Sequence, residues 1–425
     1  MKILWVTSGQ LPAACGGART GEGWIENLRR AFEATLPDTH LHIVSWGGIA
    51  HATLTKDNAT YYAITSPTPK TRGERLIQRW RHNATPTDKA DKSAAVVAAV
   101  APDIIHVHGS ESFLGMVLER VRAPAVISLQ GIASAYEDYM LSSVSSSALL
   151  RDVACRPFLS GWGLVHDNAR FRTRAASERR AISFCSDVIG RTEWDHAVIE
   201  ALRPGAHYHH VDEVMNPAFY AAAWHEEALL NMDVLCVVSG SSVKGIEVML
   251  RALWIMRDKL AVPARLRIAS HVHEHGIWRY WLRLIERLGL QDAVSLLGAL
   301  GPQDIAEELS RASVFVHPSH IDNSPNALCE ALLVGVPCVA SFVGGVPTLV
   351  DDGRTGLLCP DRDPYLLAAK IRQVLRDRDL AVRLGRAARE VALIRHDPRT
   401  IALRTYQVYQ EIVARNAGLP RRDLN

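Results

Sequence analysis

The chain has 425 residues, with 48 Lys plus Arg against 45 Asp plus Glu and a formal net charge of +3. That length exceeds one ordinary core and points to two domains, and so even a charge balance gives no reason to expect nucleic acid as a partner. No stretch approaches the ~20 apolar residues of a membrane span. Residues 1–8 read as a core strand rather than a secretion signal, and seven scattered cysteines without a Cys-x-x-Cys pair fit a reducing cytoplasm better than a zinc site.

In chain order, "MKILWVTSG" is a short apolar strand that runs into the glycine-rich loop "CGGARTGEG" and then the helical "WIENLRRAFEATL". The runs "HLHIVSW", "DIIHVHGS", "APAVISLQG", "SDVIGRT" and "AHYHHVDE" follow, separated by segments at helical spacing such as "ESFLGMVLERV". Buried strands alternating with helices indicate an α/β, doubly wound parallel sheet. After "NPAFYAAAWHEEALLNMD" the pattern restarts with "VLCVVSGS", the helix "GIEVMLRALWIMRDKL", "ARLRIAS", "VSLLG", "SVFVHPS" and "PCVASFV", and the last 60 or so residues are helical. The expected division is a Rossmann-like domain over 1–215, a linker over 216–231, a second Rossmann-like domain over 232–395, and a C-terminal helical segment over 396–425 that packs back on the first domain. In such sheets ligands bind beyond the carboxyl ends of the strands.

The stretch from His317 to Gly345, "HPSHIDNSPNALCEALLVGVPCVASFVGG", concentrates the chemistry. "SVFVHPS" is a strand, "HIDNSP" the loop leaving it, Ser324 a good N-cap and Pro325 a good first helical residue; Gly335 and Pro337 stop the helix. Glu330 is the only charge in that apolar helix, roughly 8 Å along the axis from the free N-terminal amides. A buried carboxylate is costly unless something pairs with it. Hydroxyls of a ligand would do so, with Asp322 reaching hydroxyls at the other end and phosphates seated between on the helix N-terminus. Such a molecule is a nucleotide sugar. On spacing alone, an equal alternative is that Glu330 caps a neighbouring loop and Asp322 merely helps to start the helix. The two carboxylates are badly placed to act across one glycosidic bond, which disfavours hydrolysis.

"DNSPNALCEALLVGVPCVASFVGGVPTLVDDGRTGLL" resembles the signature of the retaining glycosyltransferases of family 4, which have the GT-B fold: an acidic residue, seven residues, Glu, a Gly-x-Pro turn and a Gly-Gly loop. The resemblance is dense over roughly residues 234–360. It implies two Rossmann-like domains facing a central cleft. By position it also implies that Glu330 binds the nucleotide ribose and that Asp322 touches the donor sugar. Asn326 and Ala327 would offer amides to sugar and diphosphate, and Asn323, Ser324, Gly344 and Gly345 would complete the donor site. Lys244, in "SGSSVKG", sits where the family holds the departing diphosphate. Ser239 stands where many members have an arginine, so the phosphate clamp is incomplete unless Arg191 or Arg265 contributes.

On the acceptor or phosphate side the resemblance points to the N-terminal glycine loop, with Gly21 and Gly23 better placed than Gly16 and Gly17. His108 is a candidate contact to acceptor or donor sugar, weighed against a hydrogen-bonded core histidine. Gln130 takes the place of a family histidine and cannot shuttle a proton at neutral pH. "IGRTEWDHAVI" offers Arg191 and Glu193 to the acceptor, or else a salt-bridged helix start. The alternating His271, His273 and His275 read as a solvated loop in preference to a metal site, and the basic 70–83 stretch as a surface helix in preference to one lying on a membrane.

The resulting expectation is a metal-independent, cofactor-free hexosyltransferase-type enzyme, with no Asp-x-Asp pair placed to hold a metal. It would move a sugar with retention from a nucleotide diphosphate sugar to a saccharide or lipid-linked acceptor, in polysaccharide or glycoconjugate synthesis. A cytoplasmic location fits, with lipid-linked acceptors leaving room for peripheral contact with the membrane's cytoplasmic face. The rivals are a nucleotide-sugar epimerase of the same fold and a non-catalytic sugar-nucleotide-binding protein.

Overall fold

The computed structural model describes residues 1–8, 23–46, 53–65, 71–80, 87–142, 144–154, 156–272 and 276–417. Gly16, Gly17, Gly21, His273, His275 and the ends of the basic 70–83 stretch lie outside them. The chain divides into two compact units. The first comprises 1–137, 170–214 and 396–425, and the second 138–169 and 215–395. Residues 138–169, which the sequence boundaries assign to the first domain, therefore cluster with the second. The expected linker is structured: Pro217–Ala221 is helical, and Glu226–Asn231 is a 3-10 turn. Trp224 between them is tied to the second domain, its amide donating to Val334 O (2.9 Å) and its Nε1 to Ala312 O (2.9 Å).

The first domain is built on an eight-stranded sheet among the described residues. Its strands are β1 (Ile3–Thr7), β2 (Leu41–Ser45), β3 (Thr53–Lys56), β4 (Ala59–Ala63), β5 (Ile104–His108), β6 (Ala125–Ser128), β7 (Asp187–Gly190) and β8 (His207–His210), in the order β3-β4-β2-β1-β5-β6-β7-β8. β1 and β5 are buried at every position, as strands covered on both faces must be. All pairs are parallel except β3–β4, an antiparallel hairpin turned by Asp57 and Asn58 at φ 49° and 54°. The C-terminal helix Pro398–Asn416 packs against the helix Gly23–Thr35. It is pinned by Tyr409, whose hydroxyl accepts from Trp5 Nε1 (3.0 Å) and meets His106 Nδ1 (2.6 Å).

The second domain is a six-stranded parallel sheet of β9 (Asp233–Val237), β10 (Arg265–Ala269), β11 (Val294–Gly298), β12 (Val314–His317), β13 (Cys338–Ser341) and β14 (Leu357–Cys359). The order β11-β10-β9-β12-β13-β14 places a reversal of winding between β9 and β12, where the loops leaving the two strands separate. The helix Asn326–Val334 buries Leu328, Cys329 and Ala331 through Val334. Gly335 ends it at φ +84°, in the left-handed region that favours glycine. Helix Arg378–Arg395 lies against it, and Gly385 makes that approach possible: a Cβ there would fall 2.2 Å from Gly335 O.

Alanine normally improves a helix interior, so Gly385→Ala separates propensity from packing. The clash with a backbone oxygen is expected to win, lowering stability by roughly 1–3 kcal/mol in a denaturant titration; an unchanged or raised midpoint would contradict this packing.

Candidate functional site

The carboxyl edge of the second sheet gathers three strand-end loops around a fourth, residues 318–325, which leaves β12. The loop after β9 is joined to it by His320 N donating to Val243 O (2.7 Å). Gly245, at φ +63°, comes so close that a Cβ would lie 1.9 Å from Pro318 O. The loop after β13 is joined by Gly345 N donating to Asp322 O (2.9 Å), with Gly344 at φ +49° passing the same carbonyl. His320 completes the convergence. Its Nε2 meets Glu247 Oε1 at 2.6 Å, its Nδ1 meets Asp361 Oδ1 at 2.6 Å after β14, and Trp281 Nε1 donates to the other Glu247 oxygen at 3.0 Å. Burial alone would lower this histidine, but its bonds to Asp361 and Glu247 outweigh that and push it up to about 9. Sequence reasoning passed over His320, Glu247 and Asp361; the signal available was a second histidine inside the motif itself.

Within this frame Lys244, expected on the departing diphosphate, and Asp322, expected on the donor sugar, touch each other: Lys244 Nζ donates to Asp322 Oδ2 at 2.6 Å. His317 Nε2 lies 3.1 Å from the same oxygen, and Asn323 N donates to Oδ1 at 3.2 Å. Burial works against the Asp322 charge, yet Lys244 and His317 hold its carboxyl well below the usual carboxylate range. Gly344 and Gly345 serve first to seat the Asp322 backbone. The helix starts one residue later than the sequence suggests. Pro325, not Ser324, occupies the capping position, and no side chain caps the helix.

Asn326, Ala327 and Glu330 are the half-buried residues of the otherwise buried Asn326–Val334 helix, and they share one face. The amides of Asn326 and Ala327 precede the first intrahelical bonds and have no acceptor among the described residues. Glu330 lies four residues on, about 6 Å along the axis. No hydrogen bond or ion pair reaches its carboxylate among the described residues, and burial pushes it up to about 7. Asn326 Oδ1, Ser319 Oγ, Ser270 Oγ and His317 Nδ1 are likewise buried without partners along this edge. Buried polar atoms are normally satisfied, so such a concentration marks a place for a polar ligand.

Two Asp-x-Asp spacings do occur, at Asp361/Asp363 and Asp377/Asp379. Asp361 is bound to His320, Asp363 caps its helix through the amides of Tyr365 (3.0 Å) and Leu366 (2.9 Å), and Asp377 accepts from Leu380 N (2.9 Å). Arg265 cannot complete a phosphate clamp: it opens β10, at the amino end of the sheet, and pairs with Asp233 at 2.8 Å.

In the first domain the expected residues meet around Trp24, next to Gly23 at the start of its helix. With its amide nitrogen donating to Glu111 Oε1 (3.2 Å), Gln130 accepts from Trp24 Nε1 (3.1 Å). His108 is not a hydrogen-bonded core histidine. Both its ring nitrogens are buried and unpartnered, its ring packs on Trp5 and Trp24 and stacks on His106, and burial holds it far below the usual imidazole range. The hydrogen-bonded member of the pair is His106. Arg191 is buried under Trp24 (4.8 Å to the ring) and 3.4 Å from Glu213, whereas Asp195 forms a capping box with Thr192 and Glu193 stays exposed. Glu111, missed in the sequence, is pushed up to about 7 by burial, with Oε2 unpartnered.

The folded protein keeps the His320 proton between 6.5 and about 9, where the unfolded chain releases it. That contribution to stability is therefore complete below the lower value and lost as pH climbs through the upper one. Thermal midpoints should fall across that window, and His320→Gln should lower the midpoint and abolish the slope. An equal slope in the variant would contradict a charged clamp.

Residues 229–391 match the family of glycosyl transferases group 1. A D-inositol 3-phosphate glycosyltransferase of Streptomyces avermitilis is 39% identical over 106 residues, 25% of this chain and 23% of that protein. The matched segment thus spans about a quarter of the length of the relative. Among solved structures, sucrose-phosphate synthase from Thermosynechococcus elongatus superposes with a TM-score of 0.74 at 19% identity, covering 98% of this chain and 100% of the other. Anabaena HepE in complex with UDP and glucose gives 0.67 at 19%, covering 96% and 99%. Residues 229–391 thus match the glycosyl transferases group 1, in a chain whose fold is the GT-B fold.

Proposed function

We propose that the chain is a retaining, metal-independent glycosyltransferase that moves a sugar from a nucleotide diphosphate sugar to a saccharide or lipid-linked acceptor hydroxyl. The observation that carries this reading is Glu330: a half-buried carboxylate with no partner among the described residues, one turn beyond unpartnered helix amides. Ribose hydroxyls donating to Glu330 would remove the cost of its burial, and diphosphate oxygens would accept from the Asn326 and Ala327 amides. The UDP held by HepE makes UDP the first ligand to try. Asn323, Ser324 and the Gly344-Gly345 loop shape the approach to Asp322, which takes the sugar hydroxyls. Lys244 turns from Asp322 toward the leaving diphosphate.

In the reaction the bond from sugar C1 to the phosphate oxygen breaks and the acceptor oxygen bonds to C1 on the same face. The acceptor proton passes to the departing phosphate. This route needs positioning and charge stabilisation rather than a protein nucleophile. It also fits Gln130 and the buried, low-lying His108, neither suited to carry a proton at neutral pH. The polar groups around Trp24, with Gly23 at the mouth, are assigned to the acceptor.

Glu330 is the basis of a pH test. Hydroxyl donors favour its charged form, so UDP binding at a pH of about 6 should release a proton and affinity should rise with pH until about 7. Calorimetry in buffers of different ionisation heat measures both. Glu330→Gln should bind at least about tenfold more weakly and release no proton; pH-independent affinity in the parent protein would count against the assignment. Lys244→Ala should lower kcat about a hundredfold or more, with a much smaller change in donor affinity. Product analysis by mass spectrometry that finds donor epimerised, or bound and left intact, across a panel of acceptors would replace transfer with one of its rivals.

A further inference from the structure

Residues 138–169 are a second-domain segment set within the chain of the first domain. Just before it, the short helix Ala133–Tyr136 follows Gln130 at the carboxyl end of β6 and is fastened to the first domain. Ser134 N and Oγ both donate to Glu178 Oε2 at 2.7 Å, and Glu137 Oε1 accepts from Arg179 Nη1 at 2.8 Å. Three residues on, the chain is already held by the second domain: the buried Ser242 Oγ donates to Met140 O. Ser142 Oγ accepts from Arg362 Nη2 at 2.5 Å, and Arg362 Nε lies 3.1 Å from Asp361 Oδ2, the other oxygen of the carboxylate that holds His320. So short a stretch between two anchors carries little slack. The chain returns inside one helix, Leu164–Phe184, whose Leu164 belongs to the second-domain core and whose Ile182 belongs to the first.

Ser242 opens the 3-10 turn Ser242–Lys244. The loop after β12 holds that turn on one side, through His320 N on Val243 O and the close passage of Gly245 by Pro318 O. The Ser242 hydroxyl ties it on another side, to the crossing chain. A buried hydroxyl without its acceptor is costly, so this bond fixes the backbone two residues from Lys244. We infer that Ser242 is a positioning residue for Lys244. Through it the 137–142 crossing links the phosphate-side turn to the carboxyl edge of the first sheet, so that a nucleotide bound in the second domain stiffens residues 130–137 of the first. A ligand that orders one end of such a tether reduces the motion left to the other. The inference rests on the donor-site reading, in which this turn carries the lysine that moves from Asp322 to the diphosphate.

Hydrogen exchange of the full chain, followed by mass spectrometry with and without saturating UDP, tests it. The amides of Ser134, Tyr136 and Glu137 can report, because they are bonded to Glu178 Oε2 (2.7 Å), Ile132 O (3.0 Å) and Ala133 O (3.1 Å) and exchange only on opening. UDP should slow exchange in peptides covering 130–137 by about threefold or more. Ser242→Ala should bind UDP within about twofold of the parent yet lose the slowing, while Ser242→Thr, which keeps the hydroxyl, should retain it. Arg362→Gln, on the surface, should reduce the slowing at an unchanged melting temperature. Unaltered exchange at 130–137 with UDP bound, or full slowing in Ser242→Ala, would overturn the proposal. A parent protein that does not bind UDP would overturn the donor-site reading, and this inference with it.

Discussion

His320, fully buried between Glu247 and Asp361 at 2.6 Å from each, ties together the loops that leave β9, β12 and β14. Buried ions are expensive, and this one is tolerable because its neighbours leave little unsatisfied: both ring nitrogens are engaged, and the second Glu247 oxygen takes the Trp281 indole. Partial loss of such a network costs more than its absence would, since the surviving charges stay buried. The carboxyl edge of the second sheet inherits its shape from this bridge. Residues 318–325 are held at one end by His320 and at the other by the Gly345 amide on the Asp322 carbonyl. Gly245 and Gly344 stand where any side chain would strike backbone.

On that edge the ionisable groups are poised differently from one another. Lys244 and Asp322 neutralise each other in the free protein, so neither charge is left uncompensated at the switch point of the sheet. Glu330 has no such partner and meets its burial by holding a proton more tightly. A ligand rich in hydroxyls and carrying two phosphates offers each group what it lacks. The carboxylate gains donors, the helix amides gain acceptors, and the lysine gains a second anion to exchange for the first.

Much of this was legible in the sequence, because it depends on local pattern. Alternating apolar runs and helical spacing revealed two largely parallel sheets, and the eight-residue separation of Asp322 from Glu330 pointed to the strand-end loop after β12 and the helix that follows it. Where long-range contact decides, pattern fell short. The weakly apolar "TLTKDNATYYA" hairpin forms because β4 finds β2, and the segment 138–169 joins the second domain through tertiary packing. Pro325 replaced Ser324 at the helix start, a boundary that capping preference alone does not resolve. The partners of His320 lie 73 and 41 residues away, and those of His106 are 22 and 303 residues distant, so nothing in either neighbourhood announces which histidine is bonded and which, like His108, is not.

The most direct measurement is a crystal structure of the chain with UDP bound. The account requires both ribose hydroxyls within about 3 Å of the Glu330 carboxylate, and the diphosphate on the amides of Asn326 and Ala327. A nucleotide bound at another edge of the sheet, or a Glu330 carboxylate left unpartnered in the complex, would contradict it.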